Sequence, residues 1–297
     1  MHYLDPEQSV YSFSKNHQPQ LTINSGEKVV FRTFDCFTNQ VTSEADLVTT
    51  LDFSKVNPAT GPVFIEEAMP GNVLKVEIHD IKVRDWGVIC TLPDIGVLKH
   101  RAETQTKIVA IEHSQTVHFS EDILLPAVPM IGVIGCAPAG DEIPCGYSGD
   151  HGGNMDNHII TRGSTVYLPV HVPGALFALG DIHASMGDGE ICGTGVETAA
   201  EVKTTISVLK GVTLPRPFVE TEKNWYTVAS GDNLQEAIRK ASEDMQDLLV
   251  KNWDLSATDA FLLMSVAGDV QICQCCAAID VIARFRMPKL ESLPRLI

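Results

Sequence analysis

A carboxylate and an imidazole stand two residues apart, at Asp181 and His183, within the stretch LFALGDIHASMGDGEICGTGVE (176–197). They end an apolar run whose composition predicts a strand. Side chains two apart on an extended strand point to the same side. We therefore expect the side chains of Asp181 and His183 to converge on one point.

Two more carboxylates follow directly along the chain. Gly-Asp-Gly at 187–189 predicts a tight turn, which brings Asp188 and Glu190 to the same strand end. Three carboxylates and one imidazole within ten residues suit a divalent metal such as Zn²⁺, especially where one position stays open to water. Because Gly-Asp-Gly is also common in polar hairpin loops, the pattern alone leaves both interpretations open.

Three further segments carry candidate polar groups. The glycine-rich loop 135–158 holds Glu142 and Asn154 and is too polar for a buried strand, so it either lies on the surface or lines a pocket. Asp35 closes an apolar strand in FDCFTNQ (34–40). Glu66 is flanked by apolar residues, and a charge there must be paired or functional if it is buried.

The elements that must position these residues are mostly strands. Apolar and polar residues alternate between Gly, Pro, Asn and Asp through most of the chain, which is typical of β structure. The clearest segments are 29–34, 72–83, 107–113, 164–172, 201–210 and 283–288. We therefore expect a mainly β architecture.

Helical spacing appears near the C-terminus, where the pattern predicts helices at about 233–253 and 257–267. The first begins with a capping pattern at Asp232 and the second with one at Ser256. We expect the first helix to be half-exposed and the second to be buried.

A segment with two prolines and mixed charges, 211–223, predicts an internal boundary. We expect a mainly β region over 1–215 that carries the active site. A smaller α+β portion, 216–297, then packs on it.

The composition excludes several classes of function. A net charge of −16 without a basic segment argues against a nucleic-acid partner. The chain shows neither a signal-peptide pattern nor an apolar run long enough to cross a membrane, so we expect a cytoplasmic protein. The eight cysteines then predict reduced thiols. We interpret Cys273, Cys275 and Cys276 as small buried hydrophobic residues, because they lack the paired spacing of a zinc site.

The block GDIHASMGDGE, preceded by the strand YLPV (167–170), resembles the acetamidase/formamidase family, whose members carry G-D-x-H and G-D-G-E after Y-L-P-V. The likeness extends over nearly the whole chain, since GPVFIEEAMPGNVLKVEI, IGVIGCAPAG, GGNMDN and LSATDAFLLMSVAGDVQICQ follow in the family's order. The resemblance implies hydrolysis of formamide or acetamide and a bound divalent metal. It also implies a jelly-roll-like β-sandwich, to which we add a small β-barrel or α+β portion and the two C-terminal helices.

Carried over position by position, the resemblance implies functional roles for Asp35, Glu66, Asn154, Asp156, Asp181, His183, Asp188 and Glu190. The chain departs from the family's V-E-G-A-E-P-G-D block at Glu67 and Asn72, so we assign no role to position 72.

We expect Asp35, Asp181 and His183 to bind the metal, with Zn²⁺ preferred and Ca²⁺ as the alternative. The expected reaction is cleavage of a short aliphatic amide to carboxylate and ammonia by metal-activated water.

Glu190 is expected to act first as general base and then as acid, with Glu66 and Glu142 as rivals for that role. Asn154 would orient the amide or donate to the oxyanion. A metal-free variant, in which a glutamate acts as base or nucleophile, stays open.

The alternative from another class is a Ca²⁺-dependent jelly-roll module that binds carbohydrate without catalysis. Exposed strand edges in a β-rich chain also predict a homodimer.

Overall fold

The computed structural model describes residues 1–276 and 280–297. Its strands are β1 His2–Leu4, β2 Ser9–Val10, β3 Ser12–Phe13, β4 Leu21–Ile23, β5 Glu27–Arg32, β6 Ala59–Ile65, β7 Val73–Val83, β8 Trp86–Thr91, β9 Gln105–Glu112, β10 Thr116–His118, β11 Leu124–Pro126, β12 Met130–Gly135, β13 Ile143–Pro144, β14 Ser148–Gly149, β15 Gly152–Asn154, β16 Thr165–Pro169, β17 Phe177–His183, β18 Glu197–Thr198, β19 Ala200–Leu209, β20 Phe218–Glu220, β21 Asn224–Gly231, β22 Asp269–Gln274 and β23 Val281–Pro288. The helices are α1 Leu234–Trp253 and α2 Ala257–Ala267, with short 3-10 turns at Val48–Thr50, Phe53–Lys55 and Lys99–Arg101. The prediction of a mainly β fold with two helices near the C-terminus is confirmed.

Two large sheets make up the body of the protein. The first has nine strands in the order β1-β5-β19-β7-β16-β20-β21-β23-β22. The second has twelve strands, with the main path β11-β10-β9-β8-β18-β17-β12-β15-β14, and β6 also pairs with β17. Strand β17 therefore lies in the interior of the second sheet, where all seven of its residues are buried.

The two sheets share one hydrophobic core. Alternate residues of the long strands β7 and β19 of the first sheet face it, together with apolar residues of β12 and β17 from the second. The rings of Phe31 on β5 and Phe177 on β17 meet edge to face, with centroids 5.7 Å apart. Burial of these apolar faces against each other explains why the alternating pattern is so regular.

The C-terminal portion extends the first sheet across the predicted boundary. Strand β20 pairs with β16, so that Thr165 lies opposite Glu220, and β21, β23 and β22 follow outward. A second apolar cluster forms where α1 and α2 pack on these strands, and it includes Tyr167 of β16. The division into 1–215 and 216–297 stays a prediction, since one continuous sheet crosses it.

Helix α1 begins one residue later than its capping pattern predicts. The side chain of Asn233, not of Asp232, accepts the hydrogen bond from the Glu236 backbone N–H, at 3.0 Å. The Glu236 carboxylate in turn accepts from the backbone N–H of Asp232. For α2 the predicted cap is present, because Ser256 Oγ accepts from the backbone N–H of Asp259.

The prediction that α2 is buried is wrong. Only Ala260 and Met264 of this helix are buried, while Phe261, Leu262 and Val266 are exposed. Helical spacing shows which residues share a face, but it does not show whether the chain itself covers that face. No helix in the described ranges is both long and apolar enough to cross a membrane.

Candidate functional site

Strand β17 ends in the predicted Asp181–His183 pair, and the structure brings the two side chains together. His183 Nε2 lies 3.3 Å from Asp181 Oδ1, and both residues are buried. Two neighbouring strands enclose the pair, since β12 and β18 flank this end of β17. The convergence expected from strand geometry is therefore present.

Two carboxylates from other segments complete the surroundings of His183. Glu197, directly opposite His183 on β18, places Oε2 3.1 Å from Nε2, and Asp156 places Oδ1 3.8 Å from it. The backbone N–H of Gly195 donates to Glu197 Oε1, which leaves Oε2 directed at the imidazole. The family resemblance implied a functional role for Asp156 without specifying it, whereas Glu197 was not among the candidate residues.

Glycines provide the space for this arrangement. A Cβ on Gly132 of β12 would lie 2.6 Å from Asp156 Oδ1 and 2.7 Å from Asp181 Oδ2. A Cβ on Gly195 would lie 2.5 Å from His183 Nδ1. Because no side chain fits at such distances, both positions require glycine if the acidic groups and the imidazole are to meet.

Glu190 reaches the same place from the turn after β17. Gln274 Nε2 donates to Glu190 Oε2 at 3.2 Å and to Asp156 Oδ2 at 2.5 Å, so it links the two carboxyl groups. Cys276 Sγ also donates to Glu190 Oε2, at 3.6 Å. We call the five residues Asp156, Asp181, His183, Glu190 and Glu197 the His183 cluster; they are 1–7% exposed.

The end of β22 covers this cluster. Gly189 donates its backbone N–H to the Cys273 carbonyl at 2.9 Å, and the Cys275 N–H donates to the Gly189 carbonyl at 3.0 Å. Cys273 and Cys276 are buried and Cys275 is partly buried, which agrees with the interpretation of small buried residues. Cys276, however, also contacts the acidic site.

Three acidic residues of the cluster have backbone angles that non-glycine residues rarely adopt. The φ angles are 38° at Asp156, 53° at Asp181 and 43° at Glu190. Such a conformation persists only where the surrounding structure enforces it, and it is concentrated at functional sites. These backbone conformations cost local stability, and they direct the three carboxylates into the cluster.

Burial and mutual repulsion perturb the acid–base properties of the cluster. Burial raises the pKa of Glu197 to about 8, and burial together with the neighbouring carboxylates raises the pKa of Asp156 well above its usual range. Burial also raises the pKa of Glu190. Burial opposes the imidazolium of His183, but the carboxylates of Glu197 and Asp181 hold its pKa well above the usual value. Four carboxyl groups and one imidazole at this distance can coexist only by retaining protons or by binding a cation.

The donor set fits a divalent metal. The three carboxylate oxygens lie 3.1, 3.3 and 3.8 Å from His183 Nε2. Tetrahedral coordination with bonds of about 2.0–2.2 Å would place ligand atoms about 3.3–3.6 Å apart. Within the described residues, Asp156 Oδ1 and Glu197 Oε2 are buried without a hydrogen-bond partner, as expected of atoms directed at an ion. Two groups of three residues place their potential ligand atoms within 4.8 Å of one another, Asp156 with His183 and Glu190, and Cys36 with Asp181 and Glu197.

The structure does not bring Asp35 into the His183 cluster. Asp35 Oδ1 accepts backbone N–H bonds from Phe37 (3.1 Å) and Asn39 (2.7 Å), and Oδ2 accepts from Arg84 at 3.0 Å. Both carboxylate oxygens are thus engaged in holding the turn after residue 35. The neighbouring Cys36, not Asp35, faces the cluster.

Glu66 and Glu142, the rival candidates for the general base, lie elsewhere. Gly180 pairs with Ala59 at the start of β6, whereas Glu66 follows the other end of β6, about 20 Å away at the usual rise per residue. Glu66 and Glu142 are both exposed, the latter in the loop before β13. These positions argue against the predicted catalytic role of either residue.

Of the two remaining candidates, Asn154 lies beside the site and Asp188 lies apart from it. Asn154 is buried on β15 opposite Val133, the neighbour of Gly132, and its Oδ1 has no partner within the described residues. Asp188 turns away from the cluster to form ion pairs with Arg284 (2.6 Å) and His158 (2.7 Å). Burial opposes these pairs, but the hydrogen bond from His158 and the guanidinium of Arg284 lower the pKa of Asp188.

A large surface groove does not coincide with this chemistry. A groove of about 950 Å³ lies between β7 and the loop 127–129, with Asp80, Lys82 and Arg162 among its lining residues. A smaller cavity of about 230 Å³ borders Ile191 and Cys192, directly after Glu190. Because the perturbed groups are concentrated in the His183 cluster, we assign the candidate site there.

The chain is similar to known proteins over nearly its whole length. The sequence profile described as the Acetamidase/Formamidase family matches residues 7–145 and 143–288. The chain is 42% identical to the acetamidase of Bacillus halodurans, whose crystal structure superposes with a TM-score of 0.94 over 96% of this chain and 97% of that one. A predicted acetamidase/formamidase from Thermoanaerobacter tengcongensis is 43% identical, with a TM-score of 0.94 over 97% of this chain and 95% of that one.

A curated relative is more distant. The formamidase of Methylophilus methylotrophus is 26% identical over 261 residues, which are 65% of this chain and 64% of the relative. The matched segment therefore spans less than two thirds of that formamidase.

Proposed function

The chain belongs to the acetamidase/formamidase family, and from this premise we propose that it hydrolyses short aliphatic amides, formamide or acetamide, to carboxylate and ammonia at the His183 cluster. The observation that carries the proposal is the convergence of three buried carboxylates on His183 Nε2, at 3.1–3.8 Å. Such a site suits amide hydrolysis, because the amide nitrogen donates into the carbonyl and leaves poorly unless it is protonated, and the cluster supplies groups that can carry the proton.

In this proposal Asp156, Asp181, His183 and Glu197 hold a divalent metal. When bound, the ion polarises the amide carbonyl and lowers the pKa of water from 15.7 toward about 7. Zn²⁺ suits the imidazole and the neighbouring Cys36 thiol better than Ca²⁺, which prefers oxygen ligands alone. Asp35 is replaced by Asp156 in this ligand set.

Glu190 acts as the general base and then as the acid. Its buried carboxyl has a raised pKa, so that it can accept a proton from the attacking water and return it to the leaving nitrogen. Gln274 Nε2 fixes Glu190 Oε2 by its 3.2 Å hydrogen bond, which leaves Oε1 for the proton transfer. The Gln274 side chain is therefore a positioning group.

The enclosure of the site favours small substrates. Every residue of the His183 cluster is nearly inaccessible, so a short acyl group fits more readily than a large one. Asn154 can orient such an amide, because its buried Oδ1 has no hydrogen-bond partner among residues 1–276 and 280–297 and is free to accept an N–H from the substrate. The same enclosure disfavours the alternative of a carbohydrate-binding platform.

We also propose a cytoplasmic location. All eight cysteines are free thiols, and a reducing compartment maintains that state.

Glu190→Gln tests the proposal, because it removes the proton carrier while keeping the shape of the side chain. We expect kcat for ammonia release from formamide to fall by about 10²–10⁴-fold, with the metal content by mass spectrometry unchanged. Glu66→Gln, on the exposed end of β6, is the control and should retain full activity. Full activity of Glu190→Gln would refute the role of Glu190, and loss of the metal would identify it as a ligand instead.

A further inference from the structure

Strand β23 carries a fully buried arginine close to the His183 cluster. Arg284 is 1% exposed, and its guanidinium donates hydrogen bonds to three different segments of the chain. Nε donates to Gln271 Oε1 at 2.6 Å, Nη1 to Asn157 Oδ1 at 2.7 Å and Nη2 to Asp188 Oδ2 at 2.6 Å. An arginine is almost never buried to this extent unless its charge is paired and its donors are satisfied, as they are here.

The three acceptors are close neighbours in sequence of residues of the site. They stand directly after Asp156, two residues before Glu190 and three residues before Gln274. Strands β22 and β23 belong to the nine-stranded sheet, whereas Asp156 and Glu190 follow strands β15 and β17 of the twelve-stranded sheet. The guanidinium of Arg284 therefore joins the two sheets beside the site. A planar fork of donors suits this task better than the single point charge of a lysine.

The turn that carries Glu190 needs a fixed point. Gly187 and Gly189 flank Asp188, so the backbone of this turn has much conformational freedom. Glu190 has a φ of 43°, which persists only where the surroundings enforce it. Two backbone hydrogen bonds of Gly189 hold the turn against the end of β22. The bond from Arg284 to Asp188 adds a side-chain anchor to the same turn.

Stability alone is a weak reason for burying this charge. Replacing a buried ion pair by apolar side chains of similar volume is often neutral or stabilising. The Asp188 side chain is 37% exposed and also pairs with His158 at 2.7 Å, so its charge stays compensated without Arg284. The buried guanidinium therefore contributes more to the arrangement of the site than to the free energy of unfolding.

We propose, on the premise of the proposed function above, that Arg284 is a positioning residue for Glu190. Its guanidinium fixes Asp188, and with it the turn that directs the Glu190 carboxyl into the His183 cluster. The bond to Gln271 ties in the strand that carries Gln274. Within the described ranges, none of the hydrogen bonds of Arg284 reaches the cluster itself, so its loss should lower the rate and leave the metal in place.

The test compares two arginines on the same face of β23. Arg284→Met keeps much of the length of the side chain and removes its charge and its hydrogen bonds. Arg286→Met is the matched control, because Arg286 also donates to an aspartate on β22, Asp269, and to an asparagine, Asn224. Asp269 begins β22, about 16 Å from Gln274 at its other end, so this second set of bonds lies apart from the site.

We expect Arg284→Met to lower kcat for ammonia release from formamide by about 100-fold, with KM changed by less than about threefold and the metal content unchanged. Arg286→Met should keep the wild-type kcat. Hydrogen exchange followed by mass spectrometry gives a readout that does not depend on activity. The amides of residues 187–193 should exchange at least about tenfold faster in Arg284→Met than in the wild-type protein or the control.

A double-mutant cycle separates positioning from a general structural effect. If Arg284 acts through Glu190, Arg284→Met should cause no further loss of kcat once Glu190→Gln has removed the carboxyl. A general distortion would instead lower kcat by the same factor in both backgrounds. That equal loss would overturn the proposal, as would a folded Arg284→Met protein with the wild-type kcat.

Two further outcomes distinguish failure of the proposed function from failure of the positioning role. If the wild-type protein releases no ammonia, or if Glu190→Gln is fully active, both fail together. If Glu190→Gln is inactive and hydrogen exchange at 187–193 is unchanged in Arg284→Met, the positioning role alone is refuted. Should Arg284→Met not fold, Asp188→Ala removes the same anchor at a side chain that is 37% exposed. It should then lower kcat by a similar factor, and a wild-type kcat would refute the role.

Discussion

Replacing Gly132 by alanine should disable the site without removing any of its polar groups. The new methyl group would lie 2.6 Å from Asp156 Oδ1 and 2.7 Å from Asp181 Oδ2, whereas ordinary contacts begin at 3.4 Å. Asp156 Oδ1 must therefore shift by about 0.8 Å and Asp181 Oδ2 by about 0.7 Å relative to the new methyl group. A displacement near 1 Å at a catalytic site costs about 100-fold in rate. We expect kcat/KM for formamide and acetamide to fall by about that factor.

The stability cost should be smaller than the effect on activity. Overpacking a buried position usually lowers the free energy of unfolding by about 1–3 kcal/mol, which leaves most domains folded at 25 °C. Gly132 does not have a positive φ, so the alanine adds steric contact but no backbone strain. Gly140→Ala is the matched control, because a Cβ there meets nothing within 4 Å.

The assay is ammonia release at a temperature well below the unfolding midpoint of both variants, together with metal content. Gly132→Ala should lose activity and bind the metal less tightly, while Gly140→Ala should match wild type. A folded Gly132→Ala variant with the wild-type rate would refute the view that Asp156 and Asp181 must keep their present separation for catalysis.

Further outcomes follow from the same geometry. Asp181→Asn should lose the bound metal, whereas Asp35→Asn should retain it and lower the thermal midpoint, since the Asp35 carboxylate holds a turn and Arg84. Asn154→Ala should reduce kcat/KM by about 10²-fold with the metal retained, because the amide loses the group that orients it. After chelation, the raised pKa values of Glu197 (to about 8, by burial) and of His183 (by neighbouring carboxylates, against burial) make the folded state bind more protons than the unfolded state. Stability of the chelated protein should therefore fall from about pH 5 to pH 8, by up to about 4 kcal/mol, and Zn²⁺ should abolish the fall in thermal-shift measurements.

Local sequence patterns predicted the strands and helices whose apolar residues recur at a fixed spacing. The alternation in β7 and the spacing in α1 each arise from one face packed on the core, so both can be recognised along the chain. The exposure of α2 could not be predicted, because apolar residues recur at the same helical spacing whatever packs on the helix.

The candidate site also contains residues that the sequence predicts and residues that it does not. The pair Asp181 and His183 was predictable from the spacing of two residues on one strand, whereas the left-handed φ of 53° at Asp181 was not. Glu197 reaches His183 through the pairing of β18 with β17, and strand register is not visible in the sequence of either strand alone. Asp156 lies after β15, and only the family resemblance pointed to it. Gln274 gave no signal, because β22 has the sequence DVQICQ and nothing distinguishes Gln274 from Gln271 in it.

Asp35 shows how a local pattern can mislead. A carboxylate at the end of an apolar strand is as suitable for accepting the N–H groups of the next turn as for binding a metal. Only the tertiary structure distinguishes the two uses, because Arg84 arrives from a different part of the chain.

The most direct test of the central claim is to follow metal content and ammonia release together through chelation and stepwise addition of Zn²⁺. If the His183 cluster is the metal centre of an amide hydrolase, activity on formamide should disappear on chelation and return in proportion to bound Zn²⁺. The Asp181→Asn protein should neither bind the ion nor regain activity. A fully chelated wild-type protein that hydrolyses formamide at the original rate would contradict this account.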